Sequence, residues 1–484
     1  MTHKTGNGLL LAVLLAGMFV NLLNVSIINV MLPTIMGQFS VAASTAQWLS
    51  TGFLLVTGIV IAVVPLLAKN LQYKTLFIAA MVALIIGSSV CAISPWFVVL
   101  LVGRLVQAVG YGILLPLSMM LVLAITPRER LGASMGVLGI AMMLAPAIGP
   151  TLAGVMITIT TWRVLFWAMA AIGLVVALAA VVCFTYRNPV ARTKADVPGI
   201  ILVAIGLSAI LYGASTAGTS GWASPIVLTG LIGGVALLAA FVVVELHSSH
   251  PLLDLRVFTN GVFSSTVALT MILQMAFYGG LILMPLYFQN VQGFSGLKTG
   301  LLLLPGSVLI GVVGIFSGKL YDRIGIKPLA ITGTLIMAGA ACFLARLTPG
   351  TSYLYSLVTY TVFAFGVAIV TTPITTAAFA TITPARHADA STLQNMLRQV
   401  AGAIGTAVLI STMSNSAGSA IAQGQTPVMA ANHGITTAFV LTIVLCLGTA
   451  LASACLKGKR AARQAPTYET AVRSGVCGVE GSSR

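Results

Sequence analysis

Arg104, Gln107 and Tyr111 follow one another at i, i+3 and i+7 inside a long apolar stretch, which places them on one helical face. Such a face joins a fixed positive charge to an amide and a phenol that can donate or accept. Asn24 lies in a second apolar stretch, LLNVSIINVMLP (22–33), together with Asn29. Arg104 and Asn24 are each about eight residues from the end of their stretch, roughly 12 Å deep on a helix. They can therefore meet at one depth. An asparagine oxygen satisfies arginine donors but leaves the charge standing. Arg398 shares a face with Gly402 and Gly405 near the end of another stretch, where its side chain can snorkel to the surface. The acids are Glu129, Asp196, Glu245, Asp254, Asp322, Asp389, Glu469 and Glu480. All fall in loops, at helix ends or in the tail, and so do the five histidines. No apolar stretch holds a central carboxylate or imidazole. The six cysteines form no C-x-x-C pair, and no G-x-x-x-x-G-K-[ST] loop is present. The residues offer binding rather than catalysis: no enzyme, no metal and no cofactor are expected.

The elements that must position these residues follow from composition. Of 484 residues, 58% are hydrophobic and only 7% charged, against about 25% charged in soluble domains. The bilayer must be the solvent, and an all-α integral membrane protein is expected. Apolar segments recur near 8–32, 48–68, 75–94, 97–124, 132–160, 164–186, 199–216, 225–246, 261–287, 299–320, 328–346, 354–382, 393–414 and 434–456, giving fourteen transmembrane helices. The first reads as a retained helix rather than a signal peptide, since no small-residue cleavage site follows a short apolar core.

The net charge of +16 is explained by topology, not by nucleic acid. With the N-terminus inside, nearly all lysines and arginines fall on the cytoplasmic side, and only Arg163, Lys298 and Arg346 fall outside. Both termini are then cytoplasmic, facing anionic lipid. The segment 457–484 lacks apolar periodicity and is expected to be disordered.

The loops repeat. GKLYDRIGIKPLA (318–330) follows the tenth span, and PLLAKNLQYKTLF (65–77) follows the second. This suits two six-helix bundles, 1–186 and 261–456, with an inserted helix pair in 187–260. Repeated halves around a central path are a transporter architecture. Asn21, Asn24, Arg104, Gln107, Tyr111, Gln274, Tyr278 and Thr371, with Met275 and Phe277, are expected to line that path. Arg104 has two readings, a clamp between helices and a fixed positive charge on the path. Asp322, Arg323 and Lys327 can latch two helices at the inner face. Pro146, Pro150 and Gly154 repeat every fourth residue, a spacing that bends and thins the fifth span.

Several stretches resemble the major facilitator superfamily, in the fourteen-span QacA/EmrB-like drug efflux family. Gly318–Lys327 is similar to G-x-L-x-D-R-x-G-x-K, and GRLVQAVGYG (103–112) to R-x-x-Q-x-x-G. APAIGPTLAG (145–154), with Gly149, resembles the antiporter motif G-P-x-x-G. TWRVLFW (161–167) is similar to W-R-W-x-F, and MPLYFQNVQGFSGLKTGLLLLPG (284–306) to P-L-Y-x-Q…G-x-x-x-L-P. The resemblance implies the major facilitator fold and drug:proton antiport at the plasma membrane. It also departs at two places. Lys69-Asn70 stands where the family has an Asp-Arg pair, and Asn24 where the family has an aspartate. Export of small amphipathic compounds is therefore expected, with neutral or anionic substrates favoured over dications and with weak proton coupling. An uncoupled facilitator or metabolite exporter is the nearer alternative. A membrane scaffold or sensor would need a folded soluble domain, and no loop is long enough for one.

Overall fold

The structure is a computed structural model that describes residues 3–126, 145, 148–184, 186–188, 190, 196–248, 253–382 and 386–454. Among these residues all regular structure is helical. The helices are α1 (His3–Phe39), the single turn α2 (Ala43–Ala46), α3 (Trp48–Asn70), α4 (Tyr73–Ile93), α5 (Phe97–Ile125), α6 (Ile148–Ile159), α7 (Trp162–Cys183), α8 (Val197–Ser220) and α9 (Pro225–His247). They continue with α10 (Gly261–Leu286), α11 (Gly296–Ile324), α12 (Ile326–Leu344), α13 (Tyr353–Phe379), α14 (His387–Ala422) and α15 (Pro427–Ala454). Thirteen are long and apolar enough to cross a membrane, and α6 is a shorter apolar helix inside the expected fifth span. The first half of that span, Pro146 and the tail 457–484 lie outside the described residues.

Local chemistry sets the helix ends. Asp196, Asn260, Ser295 and Ser352 each accept from a backbone N–H of the turn they start, capping α8, α10, α11 and α13. Gly325, at φ 79°, lets α11 end and α12 begin with no loop between them. One end of the bundle collects Lys69, Lys74, Arg187, Arg256, Arg323, Lys327 and Arg386, and is here called the basic end; Arg163, Lys298 and Arg346 mark the opposite end.

Lipid tails are as apolar as leucine, so helices in a bilayer gain by close approach rather than by escape from water. Glycines provide that approach in three hairpins. A Cβ on Gly87 would lie 2.6 Å from Gly103 O, and one on Gly103 would lie 2.9 Å from Gly87 O, joining α4 to α5. Gly333 and Gly366 make the same reciprocal contact between α12 and α13, and Gly206 and Gly234 make it between α8 and α9. The α4–α5 and α12–α13 hairpins hold matching places in the two halves, so the repeat extends from loops to packing.

The helices α1, α3, α4, α5 and α7 pack among themselves, as do α10 to α15. The two groups meet along α3 and α14, and through α1 against α10 and α11. The inserted pair docks by α8, where Ser411 Oγ donates to Ala214 O at 2.9 Å and Asn415 Nδ2 to Ala217 O at 3.3 Å. Its partner α9 turns most of its apolar surface outward, as a helix facing lipid would.

Gly405 tests this packing rule. A Cβ there would fall on the Met275 backbone of α10, which cannot rotate away. Gly405→Ala is expected to lose about 1–3 kcal/mol by overpacking, read as a lower midpoint of thermal unfolding in detergent. Gly418→Ala, on the same helix with nothing within 4 Å, should match the parent protein. Equal midpoints for both variants would show that α14 is not seated on α10 in this way.

Candidate substrate path and gates

Arg104 is fully buried on α5. Its Nη1 donates to Asn24 Oδ1 at 3.0 Å, Asn24 O at 3.3 Å and Gln107 Oε1 at 2.9 Å, and its Nε to Leu49 O at 3.3 Å. Gln107 passes the contact on, with Nε2 donating to Ser88 Oγ at 2.8 Å. One guanidinium thus ties α5 to α1, α3 and, through Gln107, α4. Every acceptor is neutral. The one ion pair among the described residues is Arg386–Asp254, far off at the basic end.

A second polar layer lies about two turns further along α5, at Tyr111. The Phe53 ring links the layers: the Arg104 guanidinium carbon stands 4.4 Å from its centroid, and the Tyr111 ring 5.8 Å from it. Tyr111 faces α10 and α14 of the other half. There Tyr278 Oη donates to Gln399 Oε1 at 3.4 Å, and Gln399 also interacts with the Tyr111 hydroxyl. The Arg398 guanidinium is close enough to act electrostatically on both phenols. Arg398 therefore points into the bundle rather than snorkelling to the surface. Gly402 gives the Tyr278 ring its place, since a Cβ there would meet the ring at 2.6 Å.

The remaining expected path residues are more scattered. Asn21 is buried and donates to Gly17 O of its own helix at 3.0 Å. Gln274 is buried one turn from Tyr278. Thr371 directs its hydroxyl to Val367 O at 2.8 Å, on its own helix, and joins neither polar layer.

At the opposite end the two halves close on each other. Gly154 and Pro150 of α6 lie directly against Gly296 and Gly300 of α11, with no room for a Cβ on Gly154 or Gly300, and Thr151 Oγ1 donates to Gly300 O at 3.2 Å. Gly149 packs on Ser26 of α1. After α10 the chain continues as a π turn, Tyr287–Val291, from which Gln289 Nε2 donates across to Val30 O at 2.8 Å. The same turn is braced by Tyr287 Oη on Thr348 O at 2.7 Å and by Phe288 stacked on Phe294.

The basic end is built differently. Arg323 and Lys327 are exposed on either side of Gly325, while the Asp322 side chain lies outside the described residues. In the first half, an amide clip replaces the charged motif. Asn188 Nδ2 donates to Ala68 O and Leu71 O, and Asn188 Oδ1 accepts from Tyr73 N at 2.7 Å. Lys69 faces an acid from the other half. Gly58 of α3 meets Val400 of α14 at 3.0 Å, and Lys69 and Asp389 lie eleven residues further toward the basic end on their respective helices. Eleven residues are almost three whole turns, so both stay on the contacting faces. Lys69 accordingly acts on Asp389, as do Arg386 and Asp254.

Gln399, Phe53, Ser88 and Gln289 all hold the path or its closed end and carried no assigned role in the sequence. Gln399 stood out to some degree, as an amide beside an arginine in an apolar span. Phe53 gave no signal, because one phenylalanine among many does not show which ring sits under a guanidinium.

A lipid-embedded helical bundle with one polar layer inside the first half and another shared between the halves defines a multi-pass membrane transporter. Residues 14–406 match the Major Facilitator Superfamily, and the chain belongs to that superfamily. It is 40% identical over 406 residues to the MFS-type transporter YhcA of Bacillus subtilis strain 168, covering 84% of this chain and 76% of that protein. It is 36% identical over 441 residues to the lincomycin resistance protein LmrB of Listeria monocytogenes serovar 1/2a, covering 90% and 93%. Among solved structures, a POT family transporter in complex with 5-aminolevulinic acid is similar with a TM-score of 0.67 at 15% identity, covering 90% of this chain and 94% of that one. That last likeness concerns the fold.

Arg104 is expected to matter beyond its charge. Lysine lacks the planar fork and cannot reach acceptors on three helices at once. Arg104→Lys should reach the membrane yet transport at roughly a tenth of the parent rate or less, if one or two charge-assisted bonds are lost. Arg104→Ala should fare worse. Parent-level transport by Arg104→Lys at equal abundance would reduce Arg104 to a packing role.

Proposed function

We propose that this chain exports small amphipathic compounds across the plasma membrane by alternating access between its two halves. The observation that carries the reading is the polar layer Tyr111–Gln399–Tyr278, contributed by both halves at their meeting plane. A compound held there touches both bodies, so their relative motion changes its access. The lincomycin resistance name of a 36% identical relative supports efflux as the direction. By the charge rule the basic end is cytoplasmic, with both termini on that side. The opposite, outer end is held closed in this state by α6–α11 and by Gln289 on Val30. The domain limits 1–186, 187–260 and 261–456 follow the same division. Gly149, Pro150 and Gly154 serve as the close-packed face of the outer closure, with Pro146 outside the described residues, and Asp322, Arg323 and Lys327 serve as an inner latch.

Coupling is the point at which this chain departs from its family. No carboxylate or histidine reaches either polar layer among the described residues, and arginine does not exchange its proton during a cycle. This favours weakly coupled or uncoupled export, with neutral and anionic substrates preferred to dications.

Three measurements test the reading. In an efflux-deficient host, expression should lower accumulation of amphipathic dyes and raise resistance to some of them; an unchanged panel would sink the export reading. In proteoliposomes with a trapped pH dye, a non-titrating substrate should move with little proton flux. Robust substrate-driven proton movement that survives Asp322→Asn would overturn weak coupling. Cysteines placed in 217–224 and 415–432 should label from outside, and labelling from inside would reverse the orientation.

A further inference from the structure

Arg398 has no role in the contacts that hold the bundle together. Its Nε is buried and makes no hydrogen bond, and no ion pair satisfies its charge among the described residues. The side chain is only half-buried, so it remains reachable. The acid nearest in sequence on its helix, Asp389, is nine residues away, which is two and a half turns and the opposite face. Asp389 lies instead in the field of Lys69 and Arg386, nearer the basic end. A guanidinium whose buried Nε has an unused donor is costly in a membrane bundle. It is also prepared to bind an anion.

Its surroundings are suited to the same task. The Tyr111 and Tyr278 hydroxyls converge on Gln399, beside the guanidinium. The Tyr278–Gln399 bond, at 3.4 Å, is long for an O–H donor. That hydroxyl can turn to a better acceptor at little cost. Next to it the Phe277 ring lies 5.5 Å from the Tyr278 ring, and Phe277 and Met275 are partly exposed. Soft apolar side chains thus stand beside a cluster of polar donors.

We propose that Arg398, Tyr111, Tyr278 and the Gln399 amide form an anion-recognising subsite for amphiphiles that carry a carboxylate or sulfonate group on an aromatic or aliphatic body. The guanidinium fork takes two oxygens of the headgroup, and the phenols donate to what remains. The body lies against Phe277 and Met275. This deepens the export reading and rests on it only for the direction of transport. Binding itself is independent of that reading.

The test uses the full chain in lipid nanodiscs and two fluorescent probes with the same arylamine body. Anilinonaphthalene sulfonate carries the anion and phenylnaphthylamine does not, and protein-free nanodiscs correct for partition into lipid. The parent protein should prefer the sulfonate by roughly ten-fold or more, the range of a charge-assisted hydrogen bond. Arg398→Gln should bring the preference to about unity, Arg398→Lys should restore part of it, and Tyr278→Phe should lower it by a smaller factor. No sulfonate preference in the parent protein, or an undiminished one in Arg398→Gln, overturns the subsite. A sulfonate preference that follows Arg398 in a protein that changes no dye accumulation would uphold the subsite and sink the export reading alone.

Discussion

A guanidinium buried among lipid-embedded helices with only neutral acceptors constrains everything around it. Arg104 cannot shed its charge, and leaving its donors unpaired would cost several kcal/mol. It must hold Asn24, Leu49 O and Gln107 together, and so must hold α1, α3 and α5 at fixed spacing. The glycines at 87 and 103 then matter twice. They bring α4 close enough for Ser88 to take up the far side of Gln107. Were Asn24 an aspartate, the same geometry would be a neutral pair. As asparagine it is a rigid assembly with a net positive field.

The contacts between the halves differ in kind from those within each half. Inside a half, glycine faces and buried hydrogen bonds interlock. Between the halves, the opposite end is closed by backbone against backbone at Gly154–Gly296 and Pro150–Gly300, with the hydrogen bonds of Thr151 and Gln289. Such surfaces release without stranding a buried charge. The basic end instead has charges at its rim, with Lys69 facing Asp389 across the seam. Opposite charges near each other at a wet rim contribute little to stability and are screened by salt. The contacts between the halves at both ends are therefore shallow, which suits the proposed alternating access.

The fold was readable because a bilayer permits few answers. Long apolar runs have to be helices, and the basic loops orient them. The Arg104–Asn24 meeting was also within reach, since depth along two helices depends only on residue counts and rise. What could not be read was rotation. Whether Arg398 turns outward or toward the tyrosines depends on how α14 seats against α10, which Gly402 and Gly405 decide. The Lys69–Asp389 pairing needed the register of α3 on α14, and no local pattern encodes it. Thr371 shows the converse limit, since residue type alone did not reveal that its hydroxyl serves its own helix.

The two intramembrane cations lie on different bodies: Arg104 is locked into the first half, while Arg398 belongs to the second and has an unused donor. Through Phe53 and Tyr111 the first charge reaches toward the plane where the second waits. Bringing the halves together over an empty path concentrates like charge in a medium that screens poorly. An anionic guest at Arg398 removes that repulsion, and a dication adds to it. On the proposed export reading, an anionic substrate bound at Arg398 would do for closure what protonation of an acid does elsewhere. The negative charge that Asn24 does not supply would then arrive with the cargo.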